Sequence, residues 1–114
     1  MNNYEKVALL AAKMVERGET PENAWNTASC EVFEKGSTAQ RKSCPKNAFL
    51  GLYGIRRQGK NAQYAQKALA YLRKAHTENI SPLQLWEIVM NGEKKTYNNQ
   101  MHVVLALFKE GYIK

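Results

Sequence analysis

Residues 61–75, NAQYAQKALAYLRKA, contain the clearest structural pattern in this sequence. Apolar side chains recur there at three- and four-residue steps: Tyr64, Ala65, Ala68, Tyr71, Leu72 and Ala75. This spacing is typical of a helix with one buried face. Asn61 is a suitable N-cap, and Lys67, Arg73 and Lys74 fall on the opposite side, facing solvent. The stretch therefore predicts an amphipathic helix with one face toward the core.

The preceding stretch, SCPKNAFLGLYGIRR at residues 43–57, predicts a core helix with Pro45 in its first turn. Gly51 and Gly54 would each cost roughly 1 kcal/mol relative to Ala inside a helix. Such glycines are tolerable where a neighbouring helix backbone approaches closely. The alternative is that the helix breaks near Gly54.

The following stretch contains three helix-start signals at residues 80–85. Ser81 and Gln84 match a capping box, and Pro82 occupies the first helical position. Ile80 can pack on Leu85 as a hydrophobic staple. We therefore predict a helix that continues to the Asn-Gly pair at residues 91 and 92.

Three more helices are predicted at about residues 3–17, 20–36 and 98–110, the second opened by Thr20 and Pro21. Residues 37–42 are predicted to be an irregular loop, and no stretch predicts a strand. A chain of 114 residues is long enough for one domain with a real core. The prediction is an all-α fold, a single compact domain of five to six helices spanning residues 1–114. The predicted core consists of Trp25, Phe49, Leu52, Leu72, Leu85, Trp86, Leu105 and Phe108.

Composition narrows the function classes. The longest apolar runs, residues 7–12 and 103–108, are far shorter than the roughly 20 residues of a membrane span. The first residues lack a signal-peptide core, which predicts a cytoplasmic protein with reduced cysteines. The chain contains no Asp, which excludes Asp-based triads, and its Glu, His and Cys residues show no metal-ligand spacing. No cofactor is predicted.

Charge is divided unevenly along the chain, whose formal net charge is +7. Residues 35–77 contain ten Lys and Arg and no Glu, a formal +10, while the remainder has seven against ten Glu, or −3. Such a segment attracts polyanions, either nucleic acid or an acidic protein surface. The alternative is a surface charge that only increases solubility. The predicted binding residues are Arg41, Lys42, Lys46, Arg56, Arg57, Lys60, Lys67, Arg73 and Lys74.

Tyr53, Tyr64 and Tyr71 are interleaved with these cations, a combination that suits single-stranded nucleic acid. All three also fit apolar helix faces, and packing is the stronger interpretation. The two helices at residues 61–75 and 82–90 could form a helix-turn-helix. Against this, the second helix contains no Lys or Arg to contact the DNA groove.

Cys44 is predicted at the N-cap of the Pro45 helix, close in sequence to Arg41, Lys42 and Lys46. Helix N–H groups and nearby cations favour the thiolate, so Cys44 is a weak candidate for a catalytic or redox-sensitive thiol. A nucleophile also needs a base, and the only imidazoles are those of two histidines at positions 76 and 102. The same N-terminus could hold an anion. The favoured alternative is that Cys44 is a small capping residue under the helix. Cys30 is predicted to be a core filler, with pairing to Cys44 as the alternative.

Two smaller features complete the candidate sites. The three amides at residues 98–100 predict a solvated, frayed helix start, with a polar binding patch as the alternative. Tyr112 and Ile113 are expected to fold back on the last helix and are a candidate contact for a homo-oligomer.

Two blocks, SCPKNAFLGL at residues 43–52 and NNQMHVVLALF at 98–108, resemble a family of small bacterial proteins. That family is described only as a domain of unknown function, and the likeness extends from Trp25 to Ile113. Its members carry an acidic residue at the position of His102 and a cysteine at that of Tyr53. The resemblance implies a bacterial or phage setting and no activity, and no functional residue can be transferred from it.

The sequence thus predicts a non-enzymatic cytoplasmic binding module that uses its basic region to engage an acidic partner. The alternative class is a thiol-dependent enzyme or redox-responsive protein that uses Cys44. A third candidate is a structural or oligomerising module.

Overall fold

The computed structural model describes residues 1–77 and 79–114, and helices account for 66% of the chain. The helices in order are α1 (Asn3–Glu16), α2 (Pro21–Val32), α3 (Thr38–Arg41), α4 (Ser43–Leu52), α5 (Lys60–Ala75), α6 (Pro82–Met90) and α7 (Gln100–Lys109). No strand occurs among the described residues. The radius of gyration of 13.0 Å is that of one folded domain of about 100 residues. The predicted all-α single domain is confirmed.

Helix starts follow their local sequence signals. The Thr20 hydroxyl accepts a hydrogen bond from the Asn23 N–H at 3.2 Å, with Pro21 in the first turn of α2. At α6 the predicted capping box forms: Ser81 Oγ accepts from the Gln84 N–H at 3.1 Å, and Gln84 Oε1 accepts from the Ser81 N–H at 3.0 Å. Each bond satisfies a first-turn N–H that has no partner within the helix.

α7 lies at the centre of the packing. It contacts α1, α4, α5 and α6, while α1 pairs with α2 and α4 pairs with α5. Its buried residues occupy several faces rather than one stripe: Gln100, Met101, Val103, Val104, Leu105 and Leu107. A helix that is apolar nearly all round belongs in the interior. Trp25 on α2 packs against Phe49 on α4 with 5.1 Å between ring centroids, which joins the two helix pairs.

Gly51 allows α4 and α5 to approach closely. A Cβ atom at this position would lie 2.5 Å from the Cα of Ala62 on α5. Beside it, Gln66 Nε2 donates a hydrogen bond to the Gly51 carbonyl at 2.7 Å. A glycine in this helix is therefore compensated by the approach of a neighbouring backbone, as the sequence suggested.

The helix predicted over residues 43–57 is too long. α4 ends at Leu52, Gly54 adopts a left-handed conformation with φ 80°, and the Ile55 N–H turns back to the Leu50 carbonyl at 2.9 Å. The alternative break near Gly54 is thus correct. As a consequence, Arg56 and Arg57 lie in the loop before α5 and not on a helix.

Three further boundaries differ from prediction. The predicted loop at residues 37–42 contains the one-turn helix α3, whose N-cap Ser37 accepts from the Gln40 N–H at 3.2 Å. Helix α5 begins at Lys60 with Gly59 as N-cap, so Asn61 is inside the helix. The second helix stops at Val32, short of residue 36.

The predicted core is largely correct. Seven of its eight residues are buried: Trp25, Phe49, Leu52, Leu72, Leu85, Trp86 and Leu105. Phe108 is only half-buried, because it lines a groove between the C-terminal ends of α5 and α7.

Candidate functional site

Three lysines form a line along the exposed side of α5. Lys60, Lys67 and Lys74 are seven residues apart, and all three are exposed. At 1.5 Å per residue, neighbouring lysines lie about 10.5 Å apart along the helix axis. Seven residues fall only about 20° short of two full turns, so the three side chains remain on one face. We call Lys60, Lys67 and Lys74 the lysine stripe. α5 contains no acidic residue.

Two further exposed arginines lie near the ends of α5. Arg57 is exposed in the loop that leads into α5. Arg73, in the last turn, is also exposed, and its Nε donates a hydrogen bond to the main-chain oxygen of Lys114 at 2.6 Å. Among the described residues, no Glu side chain lies within salt-bridge distance of the stripe or of these two arginines. The cationic side chains here are therefore not paired with a Glu in that portion of the chain.

The other predicted binding residues are placed differently. Lys46 Nζ and Arg56 Nη2 both contact Glu22 Oε1 on α2 at 3.3 Å, so one carboxylate offsets part of both charges. Arg41 is exposed at the end of α3, and Lys42 is half-buried at the N-cap position of α4. The nine predicted binding residues therefore differ in their exposure and in whether a carboxylate offsets their charge.

The tyrosines are engaged in packing. Tyr53 packs against Phe49 with tilted rings, 4.9 Å between centroids, and Tyr64 meets Trp86 edge-on at 5.3 Å. Tyr71 packs against the core. Burial raises the pKa of Tyr53 to about 12, and Glu16 and Tyr112 act in the same direction. These contacts agree with the packing interpretation, since a ring held against the core presents little face for base stacking.

The outer face of α6 differs from that of a typical DNA-recognition helix. Its exposed side chains are Leu83, Gln84, Glu87 and Ile88, without a cation to approach phosphates. Leu83 is 58% exposed and Ile88 40% exposed. The helix-turn-helix interpretation is therefore not supported by the residues at the position of a recognition helix.

Cys44 is the second residue of α4 and is half-buried. The N-cap is Lys42, which makes no side-chain capping bond, so the prediction of Cys44 as N-cap is wrong. Cys30 and Cys44 are both free thiols. No hydrogen bond joins Cys44 to an imidazole in the described part of the chain, where the His102 ring is bonded to Tyr97 instead. Thiol chemistry at Cys44 stays a prediction.

Tyr97 and His102 form a half-buried polar pair that the sequence did not reveal. The Tyr97 hydroxyl is hydrogen-bonded to His102 Nδ1 and accepts from the His102 N–H at 3.1 Å. Burial raises the pKa of Tyr97 and lowers the pKa of His102, with Glu5 opposing the shift of His102. Both pKa shifts favour the neutral forms of the Tyr97 and His102 side chains. The pair fixes the loop before α7 against that helix, and Trp86 packs on Tyr97 at 5.3 Å.

The amides at residues 98–100 are ordered, contrary to the expected frayed helix start. Gln100 is only 2% exposed, and its Nε2 donates to Asn61 Oδ1 on α5 at 3.0 Å. Its Oε1 accepts from the Asn98 N–H at 2.7 Å. Asn99 Oδ1 accepts from Asn2 Nδ2 at 3.0 Å. These bonds connect α1, α5 and α7, which is a structural role.

Within residues 1–77 and 79–114, no group of three or more His, Cys or Glu side chains is placed to hold a metal ion. None of the helices described is both long enough and apolar enough to cross a bilayer. Tyr112 and Ile113 fold back as predicted: both backbone N–H groups donate to the Leu107 carbonyl, at 3.0 and 3.3 Å. Their role in a homo-oligomer stays a prediction.

A family model matches the whole chain, residues 1–114, and its description is a family of unknown function, DUF6979. No curated protein and no solved structure matches.

Proposed function

The chain belongs to this family of unknown function, and we propose that it is a non-enzymatic binding module that engages an acidic partner. The binding surface of this proposal is the lysine stripe together with Arg57 and Arg73. The proposal places the protein in the cytoplasm, where its two free thiols stay reduced.

The observation that carries the proposal is the regular exposed row of Lys60, Lys67 and Lys74 on a helix without acidic residues. A single exposed ion pair contributes only about 0.2–1 kcal/mol. Several aligned cations act together on a polymer of charge, since each can neutralise a phosphate and release a counterion. An evenly spaced row therefore favours a polyanion with regularly repeated charges over an isolated carboxylate.

Among polyanions, the surface favours contact with the nucleic-acid backbone over contact with bases. Tyr53, Tyr64 and Tyr71 are held against the core, and the outer face of α6 lacks cations. Phosphate contacts position a protein without reading sequence. We expect weak, sequence-tolerant binding with a log–log salt slope of roughly −2 to −4. Screening over about 10 Å at 0.1 M salt limits the range of the attraction.

Two matched triple variants test the surface. The first changes Lys60, Lys67 and Lys74 to Gln. The control changes three exposed lysines on other helices, Lys6, Lys13 and Lys109, to Gln. Both variants remove three positive charges from a net +7, and Lys and Gln have similar helix propensities. Any difference between the variants therefore reports position and not total charge.

Binding is measured by fluorescence anisotropy with a duplex DNA and a single-stranded RNA at about 50 mM salt, where screening is weak. We expect the stripe variant to lose about tenfold or more in affinity, because up to three phosphate contacts disappear. The control should lose about threefold or less, through net charge alone. Equal losses in both variants would show that the stripe is not the site. If the wild type binds neither nucleic acid, the proposal that the acidic partner is a nucleic acid is wrong.

A pull-down with both triple variants then tests an acidic protein partner.

A further inference from the structure

We propose that Tyr97 and His102 form a proton-sensitive latch, which holds residues 91–97 against α6 and α7 and releases them as the pH falls. These residues, which we call the 91–97 segment, make up most of the connection between the two helices. The inference concerns a conformational change and does not depend on the proposed function of the lysine stripe.

The 91–97 segment is attached to the domain mainly through Tyr97. This side chain is half-buried and packs on Trp86 with 5.3 Å between ring centroids, while the other residues of the segment are exposed. In the part of the chain that the structure describes, residues 94–97 form no hydrogen bond between main-chain groups. Loss of the Tyr97 contacts would therefore free the segment while the helices on either side stay folded.

The Tyr97 hydroxyl takes the place of the usual cap of α7. His102 is the third residue of this helix, so its N–H has no partner within the helix. The N-cap residue, Asn99, has a left-handed backbone with φ 66° and makes no side-chain capping bond. The His102 N–H donates instead to the Tyr97 hydroxyl oxygen at 3.1 Å. Exchange of this amide proton therefore reports directly on the latch.

The second hydrogen bond of the latch requires a neutral His102. Because the Tyr97 oxygen already accepts from the His102 N–H, we assign its O–H as the donor to His102 Nδ1. A neutral imidazole with its proton on Nε2 accepts this bond, whereas an imidazolium has two N–H donors and no acceptor. Among the described residues, the Tyr97 O–H has no other acceptor. Protonation of His102 therefore removes the partner of this hydroxyl proton.

Two titratable groups face His102: Tyr97 from the segment and Glu5 from α1. Among the described residues, no charged group on α4, α5 or α6 shifts the pKa of His102. Burial lowers that pKa, and the Glu5 carboxylate opposes the shift without reversing it. Release of the segment exposes the ring to water and returns its pKa toward about 6.5. The open form thus binds a proton more readily, so opening is favoured as the pH falls below that value.

Opening also uncovers part of α6. Residues 92–95 of the segment form one wall of a hollow of about 480 Å³, and Trp86 and Met90 line its other side. Both side chains are buried in the closed form, at 7% and 5% exposure. Release of the segment removes that wall, so the open form presents an apolar surface that the closed form covers.

Amide hydrogen exchange of the full chain, followed by NMR between about pH 5 and pH 7, tests the latch. Protection factors are compared, because they correct for the intrinsic effect of pH on exchange. We expect the His102 amide to be about tenfold or more less protected than the amide of the fully buried Leu72, because the latch opens without global unfolding. Its protection should fall by up to about tenfold per pH unit below about pH 6.5, since opening takes up one proton. Protection equal to that of Leu72, or protection that does not change with pH, would overturn the proposal.

Two variants separate the proton from the hydroxyl. His102→Gln keeps the main-chain N–H and a side chain that can accept from Tyr97, but this side chain does not titrate, so the amide at position 102 should stay protected at about pH 5. Tyr97→Phe keeps the ring on Trp86 and removes the hydroxyl, so the His102 amide should lose about tenfold in protection at every pH, the equivalent of one hydrogen bond. The matched control, Tyr64→Phe, removes the hydroxyl of another ring on Trp86 and should leave this protection unchanged.

A pH-dependent loss of protection that persists in His102→Gln would contradict the assignment, and so would full protection of the His102 amide in Tyr97→Phe. If His102→Gln fails to fold, the profile of the wild type and the Tyr97→Phe variant still decide.

Discussion

Replacing Gly51 by Ala tests the close approach of α4 and α5. The new Cβ would lie 2.5 Å from Ala62 Cα and 2.6 Å from Ala62 Cβ, whereas nonbonded carbons prefer separations of about 3.5–4.0 Å. Because Ala62 Cα belongs to the main chain, no change of rotamer relieves the contact. The two helices must therefore separate by about 1 Å.

Three contributions determine the size of the effect. Overpacking in a tight core costs about 1–3 kcal/mol, and a contact with backbone places Gly51→Ala near the upper end. The Gln66–Gly51 hydrogen bond contributes about 1 kcal/mol and is weakened by the separation. Ala gains about 1 kcal/mol over Gly inside a helix. The net loss is about 3 kcal/mol, or about 12 °C in Tm for a domain of this size.

Urea unfolding followed by circular dichroism measures this loss as a lower midpoint at unchanged m-value. Gly54→Ala is the matched control, because its Cβ would meet nothing within 4 Å and only its φ of 80° opposes the change. That conformational effect should cost about 1 kcal/mol. If Gly51→Ala costs no more than Gly54→Ala, the close approach of the two helices does not exist as described.

Four further changes test the interior. Gln100→Met should cost about 2 kcal/mol in urea unfolding, since it leaves Asn61 Oδ1 and a backbone N–H without their partner; a loss under about 0.5 kcal/mol would contradict the network. Trp86→Ala should cost on the order of 3–5 kcal/mol at 7% exposure, and a loss below about 1 kcal/mol would mean that α6 is packed differently. Because the pKa of His102 is lowered on folding, the unfolded chain binds more protons below about pH 6.5. Stability should therefore fall as pH drops through that window, and His102→Gln should flatten the profile. For Tyr53, whose pKa is raised to about 12, the unfolded chain loses its proton first, so stability should decline as pH rises above about 10. A Tyr53→Phe variant with an unchanged alkaline profile would refute this.

Local signals made the fold class predictable. The caps at Thr20 and Ser81 bond to residues three positions away, so they can be read from the sequence directly. The end of α4 could be located only as an alternative, because Gly54 is compatible with both a helix interior and a left-handed turn. The structure shows the left-handed turn, in which the Ile55 N–H donates to the Leu50 carbonyl at 2.9 Å.

Non-local contacts explain the remaining differences. The amides of residues 98–100 looked solvated because their partners, Asn2 and Asn61, are 97 and 39 residues away from Asn99 and Gln100. In the same way, the charge count treated all nine cations alike, because the ion-pair partner of Lys46 and Arg56 is Glu22, which is distant from both in sequence. The exposure of the α5 lysines was predictable for Lys67 and Lys74, because an amphipathic helix places its polar side in solvent.

The shared contact of Glu22 with Lys46 and Arg56 makes α2 an internal competitor for external anions. A ligand that binds either cation competes with this carboxylate. By thermodynamic linkage, the ligand weakens the ion pair by the same factor by which the ion pair weakens the binding of the ligand. Because the pairs are at the surface and 3.3 Å long, each contributes no more than about 1 kcal/mol. The competition thus weakens such a ligand by about fivefold at most per pair. An anionic ligand therefore meets two classes of cation on this protein. Lys46 and Arg56 bind it more weakly, because the ligand must compete with the Glu22 carboxylate.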